Sequence, residues 1–69
     1  MEEIMRKAAK KHINLFFRDG ENWTNVYCLS FEQYEDETEE NILLFDDKRY
    51  PHGLIEVRES EIESIEILD

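Results

Sequence analysis

The spacing of apolar residues changes from helical to alternating near the start of the chain. In residues 2–12, apolar or partly apolar side chains recur every three or four positions, which places them on one face of a short amphipathic helix. The residues on this face are Ile4, Met5, Ala8 and His12. Two glutamates at the start and two lysines at the end complement the helix dipole. From residue 13 the period becomes two, which is typical of a β-strand.

Five alternating or apolar segments follow and predict five short strands. They span residues 13–18, 23–34, 41–46, 54–58 and 64–68. The dipeptide Asp19-Gly20 is a hairpin signal between the first two. The second segment is long enough that a bend is expected, which would let it serve both halves of a curled sheet. A tight turn is predicted just before the last strand, over residues 59–62.

A helix followed by five antiparallel strands predicts a mainly β fold. We expect residues 1–69 to form one domain, a strongly bent SH3-like or Sm-like small barrel that is closed or nearly closed. Closure would remove the exposed edges that hydrophobic strands otherwise leave. A domain of this length buries only about 60% of its unfolded surface, so further burial against a partner chain is expected.

Composition narrows the possible classes of protein and the compartment in which it works. The single cysteine, Cys28, excludes an internal disulfide and points to a reducing compartment. The longest apolar runs have four residues, far short of a membrane span, and the N-terminus does not resemble a signal peptide. We therefore expect a cytoplasmic protein without membrane contact.

The net charge of −10 is unevenly distributed along the chain. Residues 1–18 carry +3 and the remainder carries −13. An acidic body disfavours non-specific contact with nucleic acid phosphates. The basic side chains of the predicted helix could be its solvated face or a docking surface. They are Arg6, Lys7, Lys10 and Lys11.

Candidate chemistry is sparse. No nucleophile arrangement or phosphate-binding loop is present, so we expect no enzyme activity and no cofactor. His12 and His52 are forty residues apart and could share a metal only if the fold added a carboxylate or Cys28, so no metal site is predicted. The acidic segment 35–40 lacks the ligand spacing of a calcium loop, which favours a solvated hairpin tip.

Trp23 and Tyr50, near predicted turns, could cap the barrel or form a binding surface.

Three segments in this order resemble the Sm-like family, which includes the Sm and LSm proteins and the bacterial Sm-like RNA chaperones. INLFFRDG is similar to the start of the family's first motif, and NILLFD, residues 41–46, is similar to its end. RESEIESI, residues 58–65, keeps the arginine and both isoleucines of the second motif, Arg-Gly-x-x-Ile-x-x-Ile. The resemblance spans nearly the whole chain. Two family glycines are replaced, by Asn25 and by Glu59.

The resemblance implies a homo-oligomeric ring in which the fourth strand of one subunit pairs with the fifth strand of the next. The strand-edge residues at that interface would be Ile55, Val57, Ile65 and Ile67. It also implies single-stranded RNA binding through Asn41 and Arg58, with Tyr34 as the nearby aromatic side chain for base stacking. A carboxylate at Glu59, beside the arginine, disfavours a phosphate there.

Two functions therefore remain open. In the first, the chain is a non-catalytic Sm-like assembly module that binds single-stranded RNA as a ring. In the second, it is an acidic protein-binding module that meets a basic protein partner or imitates nucleic acid.

Overall fold

The computed structural model describes residues 1–34 and 40–69. It contains one helix, five strands and a 3-10 turn. They are α1 (Glu2–Ala8), β1 (His12–Phe17), β2 (Asn22–Glu32), β3 (Ile42–Asp46), β4 (Leu54–Arg58), the turn (Glu59–Glu61) and β5 (Ile62–Ile67). The prediction of a mainly β chain with one short N-terminal helix and a five-stranded antiparallel sheet is confirmed.

The helix ends earlier than the sequence predicts. Its last residue is Ala8, and Lys10 has a φ of 63°. The Lys10 N–H donates to the Cys28 carbonyl at 2.8 Å, and the Cys28 N–H donates to the Lys11 carbonyl at 2.9 Å. Because β2 takes these backbone groups, the chain leaves the helix early and His12 becomes the first residue of β1. The predicted helix over residues 2–12 is therefore too long.

The first hairpin forms at the predicted dipeptide. Gly20 adopts a φ of 96°, a conformation that side chains disfavour, and its N–H donates to the Phe17 carbonyl at 3.1 Å. The Asp19 carboxylate accepts a hydrogen bond from the Glu21 N–H at 2.9 Å. The hairpin therefore uses both residues of the signal, glycine for the backbone and aspartate for the turn.

The long strand β2 changes partner along its length. Its first part pairs with β1 as far as Tyr27, which lies opposite His12. Its second part pairs with β3 from Cys28, which lies opposite Phe45. The prediction that the long second strand belongs to both halves of the sheet is confirmed. The sheet order is β4-β3-β2-β1-β5.

Extra residues interrupt three of the ladders in the described sheet. Between Trp23 and Val26, β2 has one more residue than β1 has between Ile13 and Leu15. Asn25 sits in this bulge with a φ of 51°, and its N–H donates to the Asn14 side-chain oxygen at 2.8 Å. Similar shifts occur where β2 meets β3 and where β1 meets β5. Each bulge bends its strand and increases the local twist.

The expectation of a closed barrel is wrong. Within residues 1–34 and 40–69, the sheet begins at β4 and ends at β5, and these two strands do not pair. Only the turn Glu59–Glu61 joins them. After that turn β5 follows β1, whereas β4 is held along β3, so the two strands separate. Both remain sheet edges.

The core lies between α1 and the inner face of the bent sheet. Its most buried members are Met5, Ala8, Ile13, Leu15, Cys28, Leu43, Phe45, Val57 and Ile62. Trp23 packs edge-on against Phe17 and Phe45, with ring centroids 5.0 Å and 5.4 Å away. Trp23 therefore helps to cover the core, whereas Tyr50 is 63% exposed. In the part of the chain that the structure describes, no helix has the length and apolar character needed to cross a membrane.

Candidate functional site

The side-chain amide of Asn41 is engaged by two carboxylates of the chain. Its Nδ2 donates to Glu59 Oε1 at 2.9 Å and to Glu2 Oε1 at 3.3 Å. Its backbone carbonyl accepts a hydrogen bond from the Glu59 N–H at 3.0 Å. Glu59 therefore holds the side-chain donor that RNA recognition by Asn41 would require.

Asn41 borders a cleft of about 440 Å³, which we call the Asn41 cleft. Its lining residues are Glu2, Arg18, Tyr34, Glu40, Asn41, Glu59 and Ser60. Both carboxylate oxygens of Glu40 accept hydrogen bonds from Ser60, from its N–H at 2.9 Å and its hydroxyl at 3.0 Å. Three carboxylates against one guanidinium give the cleft a negative formal charge.

The predicted RNA-binding residues are only partly brought together. Asn41 and Tyr34 both line the cleft, whereas Arg58 does not. Arg58 is exposed at the end of β4, and its N–H donates to Glu61 Oε2 at 2.8 Å. The arginine of the cleft is Arg18, which sequence reasoning missed. Its N–H donates to the Glu61 carbonyl at 3.0 Å, a contact set by the pairing of β1 with β5, and no local spacing signals it.

The two histidines lie in different elements of the fold. His12 Nδ1 lies 3.1 Å from Asp69 Oδ2, and its ring packs on Tyr27 at 5.1 Å between centroids. His52 lies in the turn after β3, with a φ of 64°. Among residues 1–34 and 40–69, no three His, Cys, Asp or Glu side chains are arranged to hold a metal ion. The predicted acidic hairpin tip falls mainly on residues 35–39, which lie outside the described residues.

Cys28 is fully buried in the core. Burial raises the pKa of its thiol from 9.0 to about 11, despite hydrogen bonds with the backbone of Ser30 and Leu44 that act in the opposite direction. The thiol therefore stays protonated near neutral pH, which is unsuitable for a nucleophile.

The basic side chains of α1, Arg6 and Lys7, are exposed and contact other side chains of the domain. Arg6 pairs with Glu2 at 3.2 Å, donates to Gln33 at 2.8 Å and lies 5.0 Å above the Phe31 ring. Lys7 pairs with Glu3 at 3.3 Å. Arg6 and Lys7 therefore both have partners within the chain.

Strand β4 presents alternate backbone groups to the outside. Hydrogen bonds from Asp47 N–H to the Gly53 carbonyl, at 2.9 Å, and from Glu59 N–H to the Asn41 carbonyl, at 3.0 Å, lie just beyond its two ends. Since hydrogen-bonded pairs alternate along an antiparallel ladder, Ile55 and Val57 are the β4 residues bonded to β3. The β4 residues whose backbone groups face away from the sheet are Leu54, Glu56 and Arg58.

Strand β5 shows the same alternation. The Leu68 N–H donates to the His12 carbonyl at 2.9 Å, so Glu66 and Ser64 continue the bonded set toward β1. Ile65 and Ile67 therefore turn their backbone groups outward while their side chains stay half-buried on the inner face.

The four predicted interface residues thus differ in their placement. Ile65 and Ile67 present backbone groups at the edge of β5. Ile55 and Val57 bond to β3, and Val57 is 2% exposed, so its side chain belongs to the core. The outward backbone groups of β4 belong to Leu54, Glu56 and Arg58, whose side chains are exposed.

Comparison with known proteins gives no matching family model, no similar curated protein and no similar solved structure. The resemblance to the Sm-like family stays a prediction.

Proposed function

We propose that the chain is a non-catalytic interaction module, Sm-like in plan, that associates by strand addition and does so first with copies of itself. One observation carries this proposal. The sheet ends in two strands, β4 and β5, whose outward backbone groups have no strand partner among the described residues. Such edges are templates for pairing with another chain, because each added strand satisfies a row of N–H and C=O groups.

If β4 pairs with β5 of a second copy, one register is favoured by the charges of the side chains and by the alternation of outward backbone groups. In an antiparallel pair, residues with outward backbone groups lie opposite each other, and their side chains share a face. Leu54 would lie opposite Ile67 of the second copy, and Arg58 opposite Glu63, the extra residue of the β5 bulge. Leu54, which is 56% exposed, would gain an apolar neighbour, and Arg58 a carboxylate.

A two-residue slip is less favourable in either direction. In one direction it places Glu56 opposite Glu63, which is unfavourable because like charges directly opposite each other repel. In the other direction it places Arg58 opposite Ile65 and leaves the arginine without its carboxylate. The pairing of Leu54 with Ile67 and of Arg58 with Glu63 is therefore the register that we propose.

Substitution of an edge residue tests strand addition directly. Glu56→Pro removes an outward N–H, and proline is tolerated on edge strands because no ladder bond within the chain is lost. We expect the variant to keep its circular dichroism spectrum and to sediment as a monomer under conditions where the parent associates. Glu56→Gln, which keeps the N–H and removes the charge, is the matched control and should still associate. Association of Glu56→Pro as strong as that of the parent would refute the edge mechanism.

Charge reversal tests the register. Arg58→Glu should weaken association, and so should Glu63→Arg, because each puts two like charges opposite each other. The double variant restores an opposite pair in reversed order and should recover much of the lost association. If the double variant loses as much association free energy as the two single variants lose together, Arg58 and Glu63 do not face each other.

A second candidate is capture of a basic protein segment at the Asn41 cleft. The observation that favours it is the set of three carboxylates around a single arginine, with the exposed ring of Tyr34 beside them. A lysine- or arginine-rich peptide would find opposite charge and an aromatic face there. Binding of such a peptide should fall with salt and with Glu59→Gln, while Glu21→Gln, which is not among the lining residues, should leave it unchanged. Equal loss in both variants would mean that only net charge matters.

Single-stranded RNA binding has less support from the geometry. The Asn41 amide is engaged by carboxylates, and Arg58 lies outside the cleft. We expect uridine-rich and adenine-rich oligonucleotides to bind weakly even at low salt, where phosphate attraction is greatest. Tight binding that Asn41→Ala or Arg58→Ala abolishes would instead support the RNA-binding ring.

A further inference from the structure

A second cavity lies where the two halves of the sheet diverge, and we call it the Trp23 groove. It has a volume of about 660 Å³. Its apolar lining includes Trp23, Val26, Phe45 and Ile55. β2 leaves β1 at Tyr27 and joins β3 one residue later, so the side chains on either side of this change are not covered by one continuous layer. Trp23, Val26 and Ile55 consequently stay only partly buried against the core.

The rim of the groove is rich in hydrogen-bond donors. Lys48 contributes an ammonium, Tyr27 a phenol, Asn25 an amide and His12 an imidazole, and Asp46 is the carboxylate among the lining residues. The chain as a whole has 18 acidic against 8 basic side chains, so a rim with one of each departs from the surrounding surface. Cavities of this size with an apolar lining and a few polar groups are typical of small-molecule sites.

We propose that the Trp23 groove binds a small amphipathic anion, with an apolar body against Trp23 and Ile55 and a carboxylate-type head at Lys48. The donors of the rim match the acceptor oxygens of such a head, and the ammonium of Lys48 supplies the opposite charge. This inference does not rest on strand addition, because the outward backbone groups of β4 and β5 are not part of the groove.

Three probes that share an eight-carbon alkyl chain and differ in their head group test the assignment. Octanoate, octanol and octylammonium are titrated while the fluorescence of Trp23, the sole tryptophan, is followed. We expect saturable binding in the order octanoate, octanol, octylammonium. An exposed charge pair contributes up to about 1 kcal/mol, so octanoate should bind up to about fivefold tighter than octanol. Octylammonium binding as tightly as octanoate would overturn the proposal, and so would the absence of saturation.

Two rim variants separate the head contact from general electrostatics. Lys48→Gln should reduce octanoate affinity by up to about fivefold and leave octanol binding unchanged. Asp46→Asn should strengthen octanoate binding. Lys7→Gln makes the same charge change on α1, away from the groove, and serves as the matched control. If Lys7→Gln and Lys48→Gln weaken octanoate binding equally, the head does not sit at Lys48 and the assignment fails.

The apolar contact needs its own variant. Ile55→Ala should weaken octanoate and octanol alike, since it removes part of the lining whichever head is present. Thermal unfolding of the variant, followed by circular dichroism, establishes the temperature at which it is folded for the titration. Unchanged affinity of the folded Ile55→Ala variant for both probes would place the apolar body elsewhere and contradict the proposal.

Discussion

The backbone of Asn25 shows how one residue shapes the sheet. Its φ of 51° lies in the left-handed region, which costs most side chains roughly 1–2 kcal/mol and which asparagine tolerates better. The bulge that it forms bends β2 just before this strand changes partner.

We predict that Asn25→Ala destabilises the fold by about 1 kcal/mol. Asn25→Gly should cost less, because glycine adopts this conformation without a steric penalty. Urea unfolding of both variants measures the difference, and Asn22→Ala, at the exposed start of the same strand, is the control. A loss for Asn25→Gly that equals or exceeds the loss for Asn25→Ala would show that the left-handed backbone is not the reason for asparagine here.

The contact between Asp69 and His12 predicts a pH-dependent contribution to stability. The His12 N–H, which donates to Asp69 Oδ2 at 2.6 Å, holds the pKa of this carboxyl below its usual value, and the His12 ring lowers the pKa further. A carboxyl whose pKa is lowered by folding stabilises the fold above the unfolded pKa of about 4 and loses that contribution as pH falls through the folded value.

Asp69→Asn should therefore lower the unfolding temperature at pH 7, and the difference from the parent should shrink below about pH 4. Thermal unfolding followed by circular dichroism at several pH values measures it. Asp46→Asn, on the exposed end of β3, is the matched control. A difference that stays constant from pH 7 to acid would contradict the role assigned to the Asp69 charge.

At the scale of elements, α1 is held by packing more than by its own helical tendency. A helix of seven residues is too short to be stable alone, and its side chains Met5 and Ala8 are fully buried. Met5→Ala should destabilise the protein by about 2–5 kcal/mol, because it leaves a cavity between the helix and the sheet. Urea unfolding measures this loss, with exposed Lys7→Ala as the control. A loss below 1 kcal/mol would mean that the helix is loosely docked.

The order and type of the elements could be predicted from the sequence because each strand has its own local alternation. Residues 54–58 are the clearest example, since the predicted and observed bounds coincide. The end of α1 could not be predicted, because it depends on hydrogen bonds with Cys28, far along the chain. The prediction of a closed barrel was wrong for a related reason. Local pattern does not reveal that β5 follows β1 and leaves β4 at the opposite edge.

The candidate site shows the same limit. The sequence marked Asn41, and it marked Glu59 as a residue unfavourable to RNA, because both fall within motif segments. It did not mark Glu2 or Arg18, which reach the Asn41 cleft from α1 and from the end of β1. Their approach is set by the docking of the helix and by the β1–β5 ladder, neither of which has a local signal.

At the scale of the whole molecule, self-association must overcome electrostatic repulsion. Each copy carries a net charge of −10, so bringing copies together raises the local density of negative charge. Salt screens this repulsion over about 10 Å at 0.1 M ionic strength. Association through the sheet edges should therefore strengthen as salt is added, whereas binding of nucleic acid or of a basic peptide should weaken. The sign of the salt effect separates these functions.

The most direct test of the central claim is the mass of the unmodified protein, measured by light scattering over a range of protein and salt concentrations. Strand addition between copies predicts a mass above that of the 8.4 kDa monomer, rising with protein concentration and with salt. A strict monomer at the highest protein concentration and at every salt concentration would contradict it.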